Sequence, residues 1–244
     1  MGLIQRRAGV AVEETAARRL FPSLAGQRGV RIRLDAAYRS WQRAHPDRCA
    51  PGGPNAYLDP IVAGQILEEI HRAKGVEWSF GGYLEDRRYL LAGSYLDATG
   101  NFLHLGVDVH VPEGTPVVAG VPARVLLVDD DQDPNGGWGP RVFLRRALEQ
   151  GDDMVGVFAH LRAPRCLPGD VLGPTDAFAE VGGPPFNGNW HPHLHLQLLR
   201  LSTFEEIVVG RLRELDGYGP PTKKRELAAL FPDPLRKWGA DRSI

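Results

Sequence analysis

Short runs of β-branched and aromatic residues, each followed by turn residues, occupy the chain from about residue 80 to residue 200. The clearest of these runs are VVAGVPARVLLVDD, PRVFLRRAL, MVGVFAHL and HLHLQLLRL. Neighbouring parallel strands need a crossover connection of a dozen or more residues, whereas antiparallel strands can follow one another through short turns. The pattern therefore predicts an antiparallel β core, built as a sandwich or a small barrel.

Helical patterns flank this core on both sides. VEETAARRLF has apolar residues at helical spacing, and DPIVAGQILEEIHRAKG adds an Asp-Pro start and a closing glycine. The helical period returns in FEEIVVGRLREL and KKRELAALF, before a terminal tail, FPDPLRKWG. The predicted fold class is α+β, with a helical N-terminal region (1–78), a mainly antiparallel β core (79–202) and a helical C-terminal tail (203–244). We expect both extensions to pack on the core, because neither has a disordered composition.

Composition narrows the class of protein. With 244 residues, 43% of them hydrophobic, the chain can bury a substantial core. Its 29 Lys and Arg residues balance 30 Asp and Glu residues, so charge gives no reason to expect a nucleic-acid or membrane partner. The start of the chain lacks the apolar segment of a secretory signal, and Cys49 and Cys166 lack the spacing of a metal or redox pair. These features predict a cytoplasmic protein.

One short segment, GNWHPHLHLQLL, carries His191, His193 and His195 at every second position, although the chain has only 8 histidines. In a strand, alternate side chains point to the same face, with about 6.6 Å between their Cα atoms. Two of these imidazoles can therefore serve one site. If His195 binds a metal ion, His193 is placed to meet a water molecule beside that ion.

A second segment, FLHLGVDVH, places His104 and Asp108 four residues apart. In a straight strand this spacing corresponds to about 13 Å, too far for two ligands that each bind one metal ion at about 2 Å. A shared ion requires a bend, and Gly106 between them provides the backbone freedom for it. His110 has the same parity but lies beyond the bend, so it stays a reserve candidate.

His160 ends the run VFAHL just before a loop. A single histidine at the end of a strand is more often structural than functional. Its interest comes from the other candidates, because His104, Asp108 and His195 form a mixed nitrogen and oxygen set. Three such ligands with an open fourth position are typical of a catalytic zinc site.

The segments HLGVD, FAHL and HLHLQ occur in this order, with PEGTPV, NGGWGPRVF and PGDVLG between them. Together they resemble the lysostaphin-type (LytM-like) zinc endopeptidases, whose motifs are HxxxD and HxH, over roughly residues 79–200. The resemblance implies a compact antiparallel core with a groove and one zinc ion. It assigns the zinc ligands to His104, Asp108 and His195, and it assigns assistance in catalysis to His160 and His193.

The resemblance also suggests residues that contact the substrate. SFGGYLEDR is similar to the segment that precedes the first ligand in this family, which makes Tyr83, Glu85 and Arg87 candidate groove residues. The Gly-Pro that commonly precedes the HLH string is replaced here by Trp190, His191 and a proline. A large ring and an extra imidazole therefore stand at the rim of the expected groove.

The predicted function is zinc-dependent hydrolysis of a peptide or small amide. A zinc ion lowers the pKa of its water towards about 7, and the absence of an HExxH string leaves the proton transfer to imidazole. Two alternatives stay open. The first is a cytosolic metalloenzyme that acts on a small amino-acid derivative, whose reaction need not be hydrolysis and whose metal need not be zinc. The second is an inactive module that binds or activates a partner. The sequence leaves the oligomeric state open.

Overall fold

The computed structural model describes residues 2–49, 55–133, 136–147, 153–211 and 217–239. In these stretches the chain has an α+β fold, as predicted. Among them, no helix is both long enough and apolar enough to cross a bilayer. The helices are α1 (Gly2–Leu20), α2 (Leu34–Ala44), α3 (Pro60–Lys74), α4 (Leu201–Val208), α5 (Lys224–Leu230) and α6 (Pro234–Lys237).

The strands are short, as the spacing of turn residues predicts. Most of them fall between residues 78 and 200. They are β1 (Gly29–Ile32), β2 (Trp78–Gly81), β3 (Leu103–His104), β4 (Val107–His110), β5 (Pro116–Val118), β6 (Ala123–Asp131), β7 (Gly139–Arg146), β8 (Met154–Ala159), β9 (Leu161–Arg162), β10 (Val171–Leu172), β11 (Ala177–Val181), β12 (Leu194–Arg200) and β13 (Tyr218–Gly219).

Eight strands form the main sheet, in the order β1-β2-β4-β12-β8-β7-β6-β10. Only β1 and β2 pair in parallel; the other neighbours in this sheet are antiparallel. A three-stranded sheet (β5-β11-β9) and a pair (β13-β3) complete the strands of the described residues. The antiparallel sheet predicted from the sequence is therefore present.

Strand β12 lies inside the main sheet and is buried along almost its whole length. Its sequence, LHLQLLR, alternates leucines with His195 and Gln197 before it ends in Arg200, and both polar side chains are buried like the leucines, so both faces of the strand are covered. Around it, Trp78, Phe80, Phe158 and Phe178 are fully buried in the largest apolar cluster. This core fixes the position of β12, and β12 carries His195.

The first third of the chain is not entirely helical. The four residues of β1, GVRI, pair with β2 and extend the main sheet. Residues 30–34, VRIRL, alternate between apolar and charged side chains, a short strand pattern that the helical prediction for residues 1–78 overlooked. Pairing with the neighbouring strand β2 completes this strand.

The C-terminal segment, predicted to be a tail, contains a short helix that is anchored to the core. Asp233 caps α6 by accepting a hydrogen bond from the backbone of Leu235, and a proline occupies the first turn. Trp238 follows, with only 2% of its surface exposed, and its indole donates to the carbonyl of Ala119 at 2.9 Å. The segment thus contributes an aromatic side chain to the interior.

Candidate metal centre

Two of the predicted ligands face each other across a strand pair. In the antiparallel register of β4 and β12, Asp108 lies directly opposite His195. Side chains at such opposed positions have Cβ atoms about 4.5–5.5 Å apart, close enough to converge on one point. Both are buried, at 2% and 3% exposure.

A break in the chain brings the third residue to this point. Strand β3 ends at His104, and β4 begins only at Val107, so the backbone turns at Leu105 and Gly106. A Cβ atom on Gly106 would lie 2.5 Å from Nε2 of His195. Glycine is therefore required at the bend by lack of space; Gly106 does not have a positive φ, so the bend does not use the backbone freedom that the sequence suggested. The predicted bend is confirmed.

The three side chains present their donor atoms to one another. Nε2 of His104 lies 3.0 Å from Nδ1 of His195, and these nitrogens lie 3.3 and 3.1 Å from Oδ1 of Asp108. Bonds of about 2.0–2.1 Å to a tetrahedral zinc ion separate its ligands by roughly 3.3–3.4 Å. Among the described residues, this is the set of histidine, cysteine and carboxylate groups whose ligand atoms could hold a metal ion.

Hydrogen bonds fix which ring nitrogens carry protons. Nδ1 of His104 donates to the carbonyl of Gly82 at 3.1 Å, and Nε2 of His195 faces the side-chain oxygen of Gln197 at 3.5 Å. A neutral imidazole holds one proton, so the two facing nitrogens each present a lone pair. Two lone pairs and a carboxylate oxygen in contact repel one another unless a cation lies between them. The donor set therefore fits a metal ion.

The protonation states agree with this arrangement. Burial and the nearby Arg87 charge lower the pKa of His104 to about 3, so this ring is neutral at pH 7. Burial alone raises the pKa of Asp108, but His104 and Arg87 lower it well below its usual range, so it is a carboxylate. Metal ligands must be in these deprotonated forms.

Arg87 holds the second oxygen of the carboxylate. Its Nη1 lies 2.6 Å from Oδ2 of Asp108 and 3.3 Å from the hydroxyl of Tyr218, and its Nε lies 3.4 Å from Glu85. Both Arg87 and Asp108 are almost completely buried. Because the guanidinium binds Oδ2, it is Oδ1 that faces the two imidazoles. The guanidinium also lines the cavity that His104, Asp108 and His195 share.

His160 and His193 lie beside the donor set. Nδ1 of His160 donates to the carbonyl of Asn187 at 2.9 Å, and Nδ1 of His193 donates to the carbonyl of His191 at 2.7 Å. Their ring centroids are 4.6 Å apart. Each therefore has an unprotonated Nε2, and that of His193 lies 3.7 Å from Oδ1 of Asp108. Burial lowers the pKa of both rings.

His191 lines the cavity and belongs to a second group of rings next to His193. It stacks on His193 at 4.7 Å and lies 5.5 Å from the ring of Tyr57, whose hydroxyl approaches its Nε2 at 3.5 Å. The reserve candidate His110 also stacks against His191, and its Nδ1 bonds to Ser79 at 3.0 Å. His110 does not contribute a donor atom to the three-residue set.

Only some of the other residues predicted to contact the substrate line the cavity. Trp190 lines the cavity, as does Arg87. Tyr83 and Glu85 do not line it: the hydroxyl of Tyr83 donates to the carbonyl of Phe231 at 2.8 Å, and Glu85 contacts Arg87 and the backbone of Leu34.

Several residues that line the cavity were not predicted from the sequence. Tyr57 and Tyr218 come from the flanking regions, and Trp138 comes from the NGGWGP loop. The ring of Tyr218 lies 5.2 Å from that of His104, because β13 pairs with β3 at this residue. The ring of Trp138 meets that of His195 edge-on at 5.2 Å. The NGGWGP motif was the one available signal, since it belongs to the family resemblance.

Comparisons with family profiles and with curated proteins find no match. Solved structures similar to this one include LytU (24% identity, TM-score 0.33), the catalytic domain of the antimicrobial peptidase lysostaphin from Staphylococcus simulans (24%, 0.33) and a zinc-containing peptidase from Vibrio cholerae (22%, 0.33). The matches cover 40%, 41% and 41% of this chain, and 62%, 68% and 28% of the respective neighbours. The chain thus spans less than two thirds of LytU.

Proposed function

We propose that this protein is a metal-dependent hydrolase that cleaves a peptide or amide bond. The supporting observation is the convergence of Nε2 of His104, Oδ1 of Asp108 and Nδ1 of His195, all within 3.3 Å of one another. Two further imidazoles with unprotonated Nε2 atoms line the same cavity. This combination suits hydrolysis, which requires a Lewis acid and a proton acceptor at one place.

We propose zinc as the ion, held by His104, Asp108 and His195. Two imidazoles and one carboxylate form one of the usual catalytic zinc sets, although imidazole also binds other divalent transition metals. When bound, the ion supplies Lewis acidity, which makes a water molecule more acidic and polarises a substrate carbonyl. Arg87 keeps Asp108 ionised and directs one of its oxygens into the set.

The two remaining histidines would move the protons. Nε2 of His160 or of His193 accepts the proton of the attacking water as its oxygen bonds to the acyl carbon. The C–N bond then breaks, and the same proton passes to the leaving nitrogen, so the products are a carboxylic acid and an amine. The other ring, whose Nδ1 proton is bound to a backbone carbonyl, would offer its Nε2 lone pair as a hydrogen-bond acceptor to a water molecule or a substrate N–H group. Their Nδ1 bonds to backbone carbonyls fix the ring orientations that this exchange requires.

The test combines metal content with turnover. We expect purified protein to contain about one equivalent of metal, and the variants Asp108→Asn and His195→Ala to lose it. His160→Ala and His193→Ala should keep the metal, and at least one should lose about 10²–10⁴-fold in turnover of short peptides and amides. His45→Ala, at a partly exposed histidine that does not line the cavity, is the matched control. Full turnover in both helper variants with metal still bound would contradict the proposal.

A further inference from the structure

The space directly at the donor set is small. The cavity lined by His104, Asp108 and His195 has a volume of about 30 Å³. A buried water needs at least about 10–15 Å³, so this cavity has room for one or two waters. An extended peptide with residues on both sides of the scissile bond does not fit there.

A larger cavity lies immediately outside. Its volume is about 590 Å³, within the usual range for pockets that bind drug-sized ligands. The two cavities share five wall residues, which marks the place where they meet. These residues are Tyr95, Gly136, Gly137, Trp138 and Trp190.

Hydrogen bonds and close packing narrow this junction, which we call the neck. The hydroxyl of Tyr95 donates to the carbonyl of Gly136 at 3.4 Å, and the indole of Trp190 donates to the carbonyl of Gly137 at 3.1 Å. A Cβ atom on Gly136 would lie 2.8 Å from the ring of Tyr95 and 3.0 Å from that of Trp190. Two aromatic rings therefore hold the glycine backbone between them.

Buried side chains from other parts of the chain form further walls of the inner cavity. Tyr57, Leu90 and Leu91 line it, with exposures of 4%, 1% and 1%. The backbone of Leu90 donates to the carboxylate of Asp35 at 2.9 Å, which fastens this wall to α2. A third cavity, of about 210 Å³, has Trp138 as its one wall residue in common with the inner cavity, whereas the outer cavity has five.

From the small inner volume and the narrow junction with the outer cavity, we infer that the substrate enters end-on through the neck and presents an amide at its very end. The group beyond the scissile bond is the nitrogen of a primary amide or the methyl of an acetyl group, while the rest of the molecule occupies the outer cavity. This inference rests on the proposed function and adds the substrate class. Hydrolysis would release ammonia or acetate, and it would not split a chain internally.

The turnover test uses matched substrates and metal-loaded protein. One peptide presents a given bond at its end, as a C-terminal amide or an N-acetyl group; the other contains an equivalent bond in the middle, with both ends blocked. We expect kcat/KM to favour the terminal bond by at least 100-fold. Trp190→Ala and Tyr95→Ala, which widen the neck, should reduce this preference at least tenfold. Tyr89→Ala, an exposed tyrosine outside both cavities, should leave it unchanged.

A binding measurement separates this inference from the proposed chemistry. Acetohydroxamate and a long hydroxamate with peptide on both sides are titrated calorimetrically into metal-loaded His193→Ala protein. After correction for their affinities for free metal, the small ligand should bind at least tenfold better to protein with an intact neck, and Trp190→Ala should reduce that difference. Equal binding, or equal cleavage of internal and terminal bonds, would overturn the inference. Absence of all turnover with the binding preference intact would overturn the proposed function instead.

Discussion

Arg87 and Asp108 form an ion pair of 2.6 Å in which both side chains are about 3% exposed. The two oxygens of the carboxylate have different partners: Oδ2 faces the guanidinium, and Oδ1 faces His104 and His195. Burying two charges is costly, and the cost is offset only by close contact and by further hydrogen bonds. Here the guanidinium also contacts Glu85 and Tyr218, so its position is fixed from several sides.

Replacing Arg87 should weaken both stability and metal binding. In Arg87→Met, Asp108 is left buried without its cation, and we expect metal-free protein to lose about 3–5 kcal/mol of unfolding free energy. Loss of a group that orients a metal ligand typically costs 10–100-fold in metal affinity. Urea unfolding and competition with a chelator measure the two effects. The control is Arg88→Met, at the next residue, which pairs with Asp86 at the surface. If the two variants had the same unfolding free energy and the same metal affinity, the buried ion pair would contribute no more than the exposed one.

Two glycine-to-alanine substitutions should change the unfolding free energy in opposite directions. In Gly106→Ala the new Cβ would lie 2.5 Å from Nε2 of His195 and 2.7 Å from the carbonyl of Leu196, so we expect about 1–3 kcal/mol of destabilisation and weaker metal binding. In Gly64→Ala, within α3, nothing lies within 4 Å of the new Cβ. This variant should gain about 0.5–1 kcal/mol, because alanine favours the helix. Thermal and chemical unfolding compare both with the parent protein; a stable Gly106→Ala protein with unchanged metal affinity would refute the close packing at the bend.

The sequence predicts those parts of the site that depend on local spacing. The bend at Gly106 follows from the distance between His104 and Asp108 in a straight strand, and the alternation in HLHLQ places His193 and His195 on one side. What local spacing leaves open is the pairing register that sets Asp108 opposite His195, because register depends on non-local packing. The prediction that Asp108 and His195 bind the same metal ion came from the motif resemblance.

Contacts between distant segments could not be predicted from local patterns. Arg87 was expected in the groove from the resemblance, but its pairing with Asp108 depends on how two non-adjacent segments meet. Tyr57 reaches His191 from the helical N-terminal region, 134 residues away in sequence. Strand β1 was missed for a different reason: residues 30–34, VRIRL, do alternate between apolar and charged side chains, but the run is short and lies between two helical patterns.

The C-terminal segment should contribute to stability. Trp238 is buried, donates a hydrogen bond to Ala119 and meets the ring of Phe158 edge-on at 5.6 Å. We expect Trp238→Ala to cost about 3–5 kcal/mol of unfolding free energy, as is usual for a buried aromatic side chain. Phe186→Ala is the control, because that ring is 72% exposed and its loss should change stability by no more than about 0.5 kcal/mol. Urea unfolding followed by circular dichroism gives both values, and similar small losses would mean that the segment does not belong to the core.

Metal-free protein should lose stability as the pH falls below about 6.5. Five buried histidines have pKa values lowered from the ordinary value, and burial is the largest cause for each: His104, His110, His160, His191 and His193. Between their folded-state pKa values and about 6.5, the unfolded chain binds protons that the folded chain excludes, so the unfolding free energy decreases as pH decreases. Each excluded proton contributes a slope of about 1.4 kcal/mol per pH unit. Asp108, whose pKa is lowered, adds its own loss only at more acidic pH, below about 4. Urea unfolding from pH 8 to pH 5 measures the slope, and His191→Gln should reduce it by about one proton. A free energy that stays constant over this range would mean that the rings accept protons in the folded state.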